Sequence, residues 1–364
     1  LAGLTLKIPE IGWTKAAGDK ASLRVEGSFG APATISRLDL TGPGLTAMGS
    51  VTLKPDNGLD HADFKGVKIG DWFTGDLALI GQGKGRAVGL TVRGGTADLR
   101  RAHFGTSSQG SGKDAPVSIA LDRLTVTDQI ALTGFQGAFQ TADGFRGSFT
   151  GQVNGQTPVQ GALAPSANGR LGFQISAADA GAAFAAAGLY ASGRGGKMTV
   201  QLLPRDAAGS YDGTLSVRDI RVVNAPALAS LLDAVSVVGL LQQLGGDGIA
   251  FHDVSGQFLL TPGAVEIRQG SAVGASLGIS AMGLYRTADK TLNLQGVISP
   301  VYLLNGIGRI FSRQREGIFG FNYTLKGPSN APKVSVNPLS ILTPGMFREI
   351  FRSAPPTIDD QPDQ

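Results

Sequence analysis

The sequence predicts a mainly β protein, a long antiparallel meander interrupted by a few short amphipathic helices, mostly in its C-terminal half. Two observations carry that expectation. Segment after segment alternates apolar and polar residues with period two and stops at Gly, Asp, Asn or Pro, the pattern of half-buried antiparallel strands. Glycine is abundant, 54 of 364 residues, while charged residues make up only 16%, well below the usual rough quarter. Many tight turns between short strands produce that balance.

In chain order, the alternating pairs are Leu38/Leu40, Val51/Leu53, Leu77/Leu79, Leu90/Val92, Val117/Ile119/Leu121, Leu124/Val126 and Ile130/Leu132. They resume at Leu215/Val217, Phe258/Leu260, Val265/Ile267, Leu277/Ile279/Ala281, Leu292/Leu294/Ile298 and Val334/Val336. The cleanest case is "FGFNYTLK", which sets Phe319, Phe321, Tyr323 and Leu325 against Gly320, Asn322, Thr324 and Lys326. "TPGA" at 261–264 and "TADKT" at 287–291 are short enough to join antiparallel neighbours.

Helical periodicity enters at four places. "DAGAAFAAAGLY" offers Asp179 as N-cap. "NAPALASLLDAVSVVGLLQQLGG" offers Asn224 as cap, Pro226 in the first turn and Gly245 as the stop. "PVYLLNGIGRIFSRQR" places Arg309, Arg313 and Arg315 late, where they suit the helix dipole. In "LTPGMFREIF", Thr343 and Pro344 can start a helix whose Met346, Phe347, Ile350 and Phe351 fall on one stripe. Two turns do not stand alone in water, so that stripe must dock, most simply on the protein's own sheet.

Length allows one large β-domain or two ordinary ones. "GTSSQGSGKDA" at 105–115 reads as a flexible linker or long loop. It sets an expected boundary between an N-terminal β segment, 1–115, and a C-terminal domain, 116–352. "SAPPTIDDQPDQ", 353–364, is Pro- and acid-rich and is expected to be disordered.

Several chemistries are disfavoured. The net charge is +4, but Lys and Arg are spread along the chain, without the basic stripe that nucleic-acid binding needs. With no cysteine, disulfides and thiolate metal sites are excluded, and the lack is compatible with an oxidising compartment. "GASLG" at 274–278 matches a nucleophile elbow with Ser276 at its centre, but Ser276 sits in a strand pattern and no histidine follows it. His61, His103 and His252 stand far apart without ligand spacing. "GQGKGRAVG" and "SGRGGKMT" read as turns, since Met198 replaces the Ser or Thr of a phosphate loop. No signal peptide or apolar span of membrane length is expected; Asp233, Gln242 and Gln243 argue against a transmembrane 225–244. No catalytic residue, metal or cofactor is expected.

The motifs "ADAGAAFAAAGLYASGRGGKMTV", "GTLSVRDIRVVNAPALASLL", "VGLLQQLGGDGIAFHDVSGQFLLTPGAVEI", "LNLQGVISPVYLLNGIGRIF" and "VSVNPLSILTPGMFREIF" resemble, in order, the C-terminal region of the AsmA-like superfamily of Gram-negative envelope proteins, with TamB and YhdP among its relatives. The resemblance covers about Ile175 to Phe351, and residues 1–115 match only in style. It implies a periplasmic body, held to the inner membrane by an anchor that this chain lacks. It also implies a sheet curled like a taco into an open, elongated, apolar groove that carries phospholipid to the outer membrane without catalysis. A closed sandwich or barrel would show the same alternation.

On this reading Val265, Ile267, Leu277, Ile279, Leu292, Leu294, Phe319, Phe321 and Tyr323 line the groove and meet phospholipid acyl chains. Helices at 300–313 and 344–352 close its end or meet a membrane surface through Leu304, Ile307, Phe311, Met346, Phe347, Ile350 and Phe351. The alternative is a periplasmic scaffold that assembles outer-membrane or other envelope proteins through exposed strand edges.

Overall fold

The structure, a computed structural model, describes residues 3–8, 13–28, 30, 32–102, 114–142, 144–300, 320–337 and 357–358. The chain divides into two compact units, Leu1–Leu171 and Gly172–Gln364. It is mainly β, with 22 strands and three short helices among the described residues.

The first unit opens with a hairpin of β1 (Leu6–Ile8) and β2 (Trp13–Lys15). The indole N–H of Trp13 donates to Pro43 O at 2.7 Å, fixing the hairpin against a turn of the main sheet. That sheet contains β3 (Ser22–Ser28), β4 (Thr34–Gly42), β5 (Leu45–Leu53), β6 (Leu59–Ile69), β7 (Phe73–Ile80), β8 (Gly89–Asp98), β9 (Pro116–Thr125), β10 (Ala131–Gln140), β11 (Arg146–Val153) and β12 (Thr157–Pro165). Strands neighbour one another in chain order, and β8 and β9 alone among these pairings run parallel. A parallel step needs a crossover of a dozen or more residues. The Gly/Ser-rich stretch at 105–115 lies in that crossover, so the boundary expected there falls inside the first unit, and the meander is broken once.

The second unit contains β13 (Leu171–Ala177), α1 (Ala180–Ala186), β14 (Gly193–Arg194), β15 (Lys197–Pro204), β16 (Tyr211–Val222), α2 (Pro226–Ala234), α3 (Val238–Gly245), β17 (Ile249–Leu260), β18 (Ala264–Gly274), β19 (Leu277–Arg286), β20 (Thr291–Pro300), β21 (Phe321–Pro328) and β22 (Lys333–Asn337). From β15 to β22 it is the antiparallel meander that the alternation predicts. The two predicted turns join β17 to β18 and β19 to β20. In the first, Thr261 Oγ1 accepts from Ala264 N at 3.2 Å; in the second, Asp289 Oδ1 accepts from Thr291 N at 3.2 Å. In neither unit do the described residues pair the unit's first strand with its last, so neither sheet closes on itself within its own unit.

The helices start where capping predicts, with one correction. Asp179 caps α1, its Oδ1 accepting from Ala182 N at 2.8 Å. The single helix expected from Asn224 to Gly245 is two. Its N-cap is Ala225 rather than Asn224, with Pro226 in the first turn as predicted. The break comes at Val235–Val237, where Ser236 takes φ 56 between two β-branched residues of low helix propensity. No helix among the described residues is long and apolar enough to cross a membrane. Phe319 and the expected helices at 300–313 and 344–352, with Leu304, Ile307, Phe311, Met346, Phe347, Ile350 and Phe351, lie outside the described residues.

In the second unit α2 packs against β22 and α3 against β17, while the two helices touch each other. A helix pair that meets strands so far apart in the sheet order requires the sheet to bend over it. Leu228, Leu231, Leu232, Leu240 and Leu244 are the buried side of that pair, an apolar stripe facing the sheet as amphipathic helices require.

Candidate functional site

Register, more than any single side chain, builds the candidate site. In the second unit one cross-strand row runs Phe173, Leu202, Gly213, Phe258, Ile267, Gly283, Leu294, Leu325, Val334, each residue opposite the next. No polar side chain interrupts it. The adjoining rows on the same face carry Val265, Tyr285 and Leu292 on one side, and Gly296 with Tyr323, then Ile279, Ile298 and Phe321, on the other. Leu277 stands opposite Pro300. The described groove-lining candidates, Val265, Ile267, Leu277, Ile279, Leu292, Leu294, Phe321 and Tyr323, therefore share one face, since strand side chains alternate between faces.

The opposite face carries the charged residues, interspersed with Leu259 and Leu284. Its matching row includes Asp212, Glu266, Asn293, Lys326 and Lys333. Arg268 bonds Asp212 at 3.1 Å and Glu266 at 3.4 Å, and Arg205 bonds Asp212 at 3.1 Å. These pairs fix the orientation of the sheet: sliding any strand by one residue would turn its charges onto the apolar side.

Burial grades along the apolar face. At the helical end Ile249, Leu277 and Ile298 are 0% exposed and Val217 is 1% exposed. Away from it Leu202, Phe258, Leu260, Val265, Ile267, Leu292 and Leu294 are only half-buried. One end of the apolar face is filled by the protein's own side chains, and the rest keeps apolar surface accessible.

Two glycines let aromatic rings lie flat on this face instead of standing up from it. A Cβ on Gly213 would lie 2.2 Å from the Phe258 ring, and one on Gly296 would lie 2.9 Å from the Tyr323 hydroxyl. Across Gly296, that hydroxyl donates to Ser280 O at 2.9 Å, so the buried phenol is satisfied. Burial pushes the Tyr323 pKa above the ordinary tyrosine value, which keeps the group neutral in an apolar setting.

The first unit also has an apolar face. Its members include Ala62 and Phe64 on β6, Leu77 and Leu79 on β7, Leu90 and Val92 on β8, Val117 and Ile119 on β9, and Phe139 on β10. Where β8, β9, β10 and β12 approach one end, Leu90, Val117, Phe139 and Leu163 line a cleft of about 740 Å³ together with Gln82, Gln140 and Arg146. That volume is within the range of small-molecule sites.

Among the described residues the serine and histidines that the sequence offers do not converge on one another. Ser276 lies between β18 and β19 rather than inside a strand, a correction to the sequence reading, and a strand rather than a helix follows it. His252 is exposed on β17, His61, exposed on β6, has its Nδ1 3.0 Å from Asp60 Oδ2, and His103 lies outside the described residues. Among the described residues no metal-holding cluster forms.

Sequence reasoning missed Phe173, Leu202 and Tyr285 as members of the face, placed Leu325 on it without naming it as groove-lining, and missed all of the first unit's cleft. The signal for Leu202 was present in "KMTVQLLP", where Met198, Val200 and Leu202 alternate with polar neighbours. Compared with known protein families, with characterised proteins and with solved structures, the chain matches none.

Proposed function

We propose that this chain is a non-enzymatic conduit for phospholipid, working in the periplasm as part of an inner-membrane-anchored bridge that supplies the outer membrane. The observation that carries the reading is the uninterrupted apolar row from Phe173 to Val334, in which Phe173, Leu202, Phe258, Ile267, Leu294 and Val334 are half-buried. A phospholipid passing through water exposes its chains at about 0.8 kcal/mol per methylene, so a chain of about fifteen costs on the order of 12 kcal/mol. A continuous apolar trough removes most of that cost at every position along it, where a single closed pocket would remove it only once. The resemblance of residues 175–351 to AsmA-like proteins supports the same assignment and supplies the envelope setting.

Native mass spectrometry of the gently purified chain tests it. Phospholipid adducts that survive removal of detergent are the expected result. Lipid-free protein that instead retains a polypeptide would replace the conduit with the scaffold.

A further inference from the structure

Three tyrosines bring hydroxyls to the apolar face of the second unit, and they are not alike. Tyr323 lies deep in it, 5% exposed, and its hydroxyl donates to Ser280 O. Tyr211 and Tyr285 are half-buried, and among the described residues neither hydroxyl has a hydrogen-bond partner.

Both stand in the last apolar row before the turns, where Tyr211, Leu260, Val265, Tyr285 and Leu292 follow one another, each opposite the next. Beyond this row the chain turns, and Pro262, Gly263 and Lys290 are exposed. The boundary between the apolar face and water therefore passes along the row. Tyrosine suits such a boundary, because its ring is apolar and its tip polar. The rings belong to the apolar side: Tyr211 meets Phe173 edge to face with centroids 6.0 Å apart, and Tyr285 stands between Val265 and Leu292. With Tyr211 on β16 and Tyr285 on β19, the two residues are roughly 14 Å apart at about 4.8 Å per strand.

While the face is open, both hydroxyls can bond water. An acyl chain spread over the row excludes that water, and a covered hydroxyl without a new partner is penalised. A ligand with an acceptor oxygen at the head of its chain supplies the partner, and a plain hydrocarbon does not. We infer that Tyr211 and Tyr285 are specificity positions of the lipid face, at which a hydroxyl donates to an ester carbonyl or phosphate oxygen of a phospholipid while the acyl chain lies on the apolar rows. This rests on the conduit reading and narrows its ligand to acyl amphiphiles whose oxygens lie where chain meets head.

A displacement titration of the full chain tests it. Diphenylhexatriene, an apolar fluorophore without oxygen, is bound first and then displaced by didecanoyl phosphatidylglycerol. In Tyr211→Phe/Tyr285→Phe both rings stay and only the hydroxyls go, so no hydrogen bond between described residues is lost and the thermal transition should be retained. The variant should bind the fluorophore within about twofold of the parent, whereas the lipid concentration for half-displacement should rise at least about tenfold. If the double variant does not fold, Tyr285→Phe replaces it, with an expected rise of about threefold. An ether-linked analogue of the lipid names the acceptor: it weakens with the variant if the phosphate is held, and displaces equally from both proteins if the ester carbonyl is. Equal displacement of the diacyl lipid from parent and variant, or an equal loss for the fluorophore, overturns the inference and leaves the conduit standing. A parent chain from which the lipid displaces nothing overturns both.

Discussion

Leu294→Glu should lower phospholipid capture by at least about tenfold while leaving the β-sheet spectrum and the cooperative thermal transition in place. Leu294 stands in the middle of the apolar row, between Gly283 and Leu325. It is half-buried, so the new carboxylate can turn toward water in the empty protein. An acyl chain laid along the row would strip that water away, and an unpaired charge so desolvated costs several kcal/mol. The penalty falls on the lipid complex and spares the fold. Ile279→Glu, on the same face, should act alike, whereas Thr324→Glu on the polar face should leave capture unchanged. Retention of lipid by both apolar-face variants would refute the role of the row.

Leu232→Ala should cost about 2–5 kcal/mol of stability, read as a lower urea midpoint with little change in slope. Leu232 is 0% exposed on α2, the helix that meets β22 while its partner α3 meets β17. The cavity would open between the helix pair and the bent sheet, where little else can collapse into it. Val238→Ala, at a side chain 63% exposed on α3, should stay within about 0.5 kcal/mol of the parent. If the two variants cost the same, the helix pair is not anchored through its leucine stripe.

Much of the sheet was legible because its faces differ so sharply. Phe321, Tyr323 and Leu325 alternate with Asn322, Thr324 and Lys326, and no other element gives that period. Thr261 and Asp289 mark turns because their side chains bond the backbone two or three residues ahead. What stayed hidden depends on contacts between distant residues. The parallel pairing of β8 with β9 leaves no local trace except the long connection, and that stretch reads equally well as a linker. The bend at Ser236 comes from a left-handed backbone that an apolar run conceals. Leu202 alternates visibly in its own segment, but its place in the row, and that of Phe173 opposite it, comes from the pairing of β13 with β15 and of β15 with β16, which no local pattern sets. Leu284 and Val297 occupy polar-face positions, so period-two reading treats them as exceptions.

The account rests on the apolar face remaining open to fatty chains, and photolabelling tests that most directly. A phospholipid carrying a diazirine near the end of one acyl chain, irradiated with the full chain and mapped by peptide mass spectrometry, should mark Phe258, Ile267, Leu292 and Leu294. Labels confined to the polar face, or a sheet that takes up no label while lipid is present in excess, would contradict it.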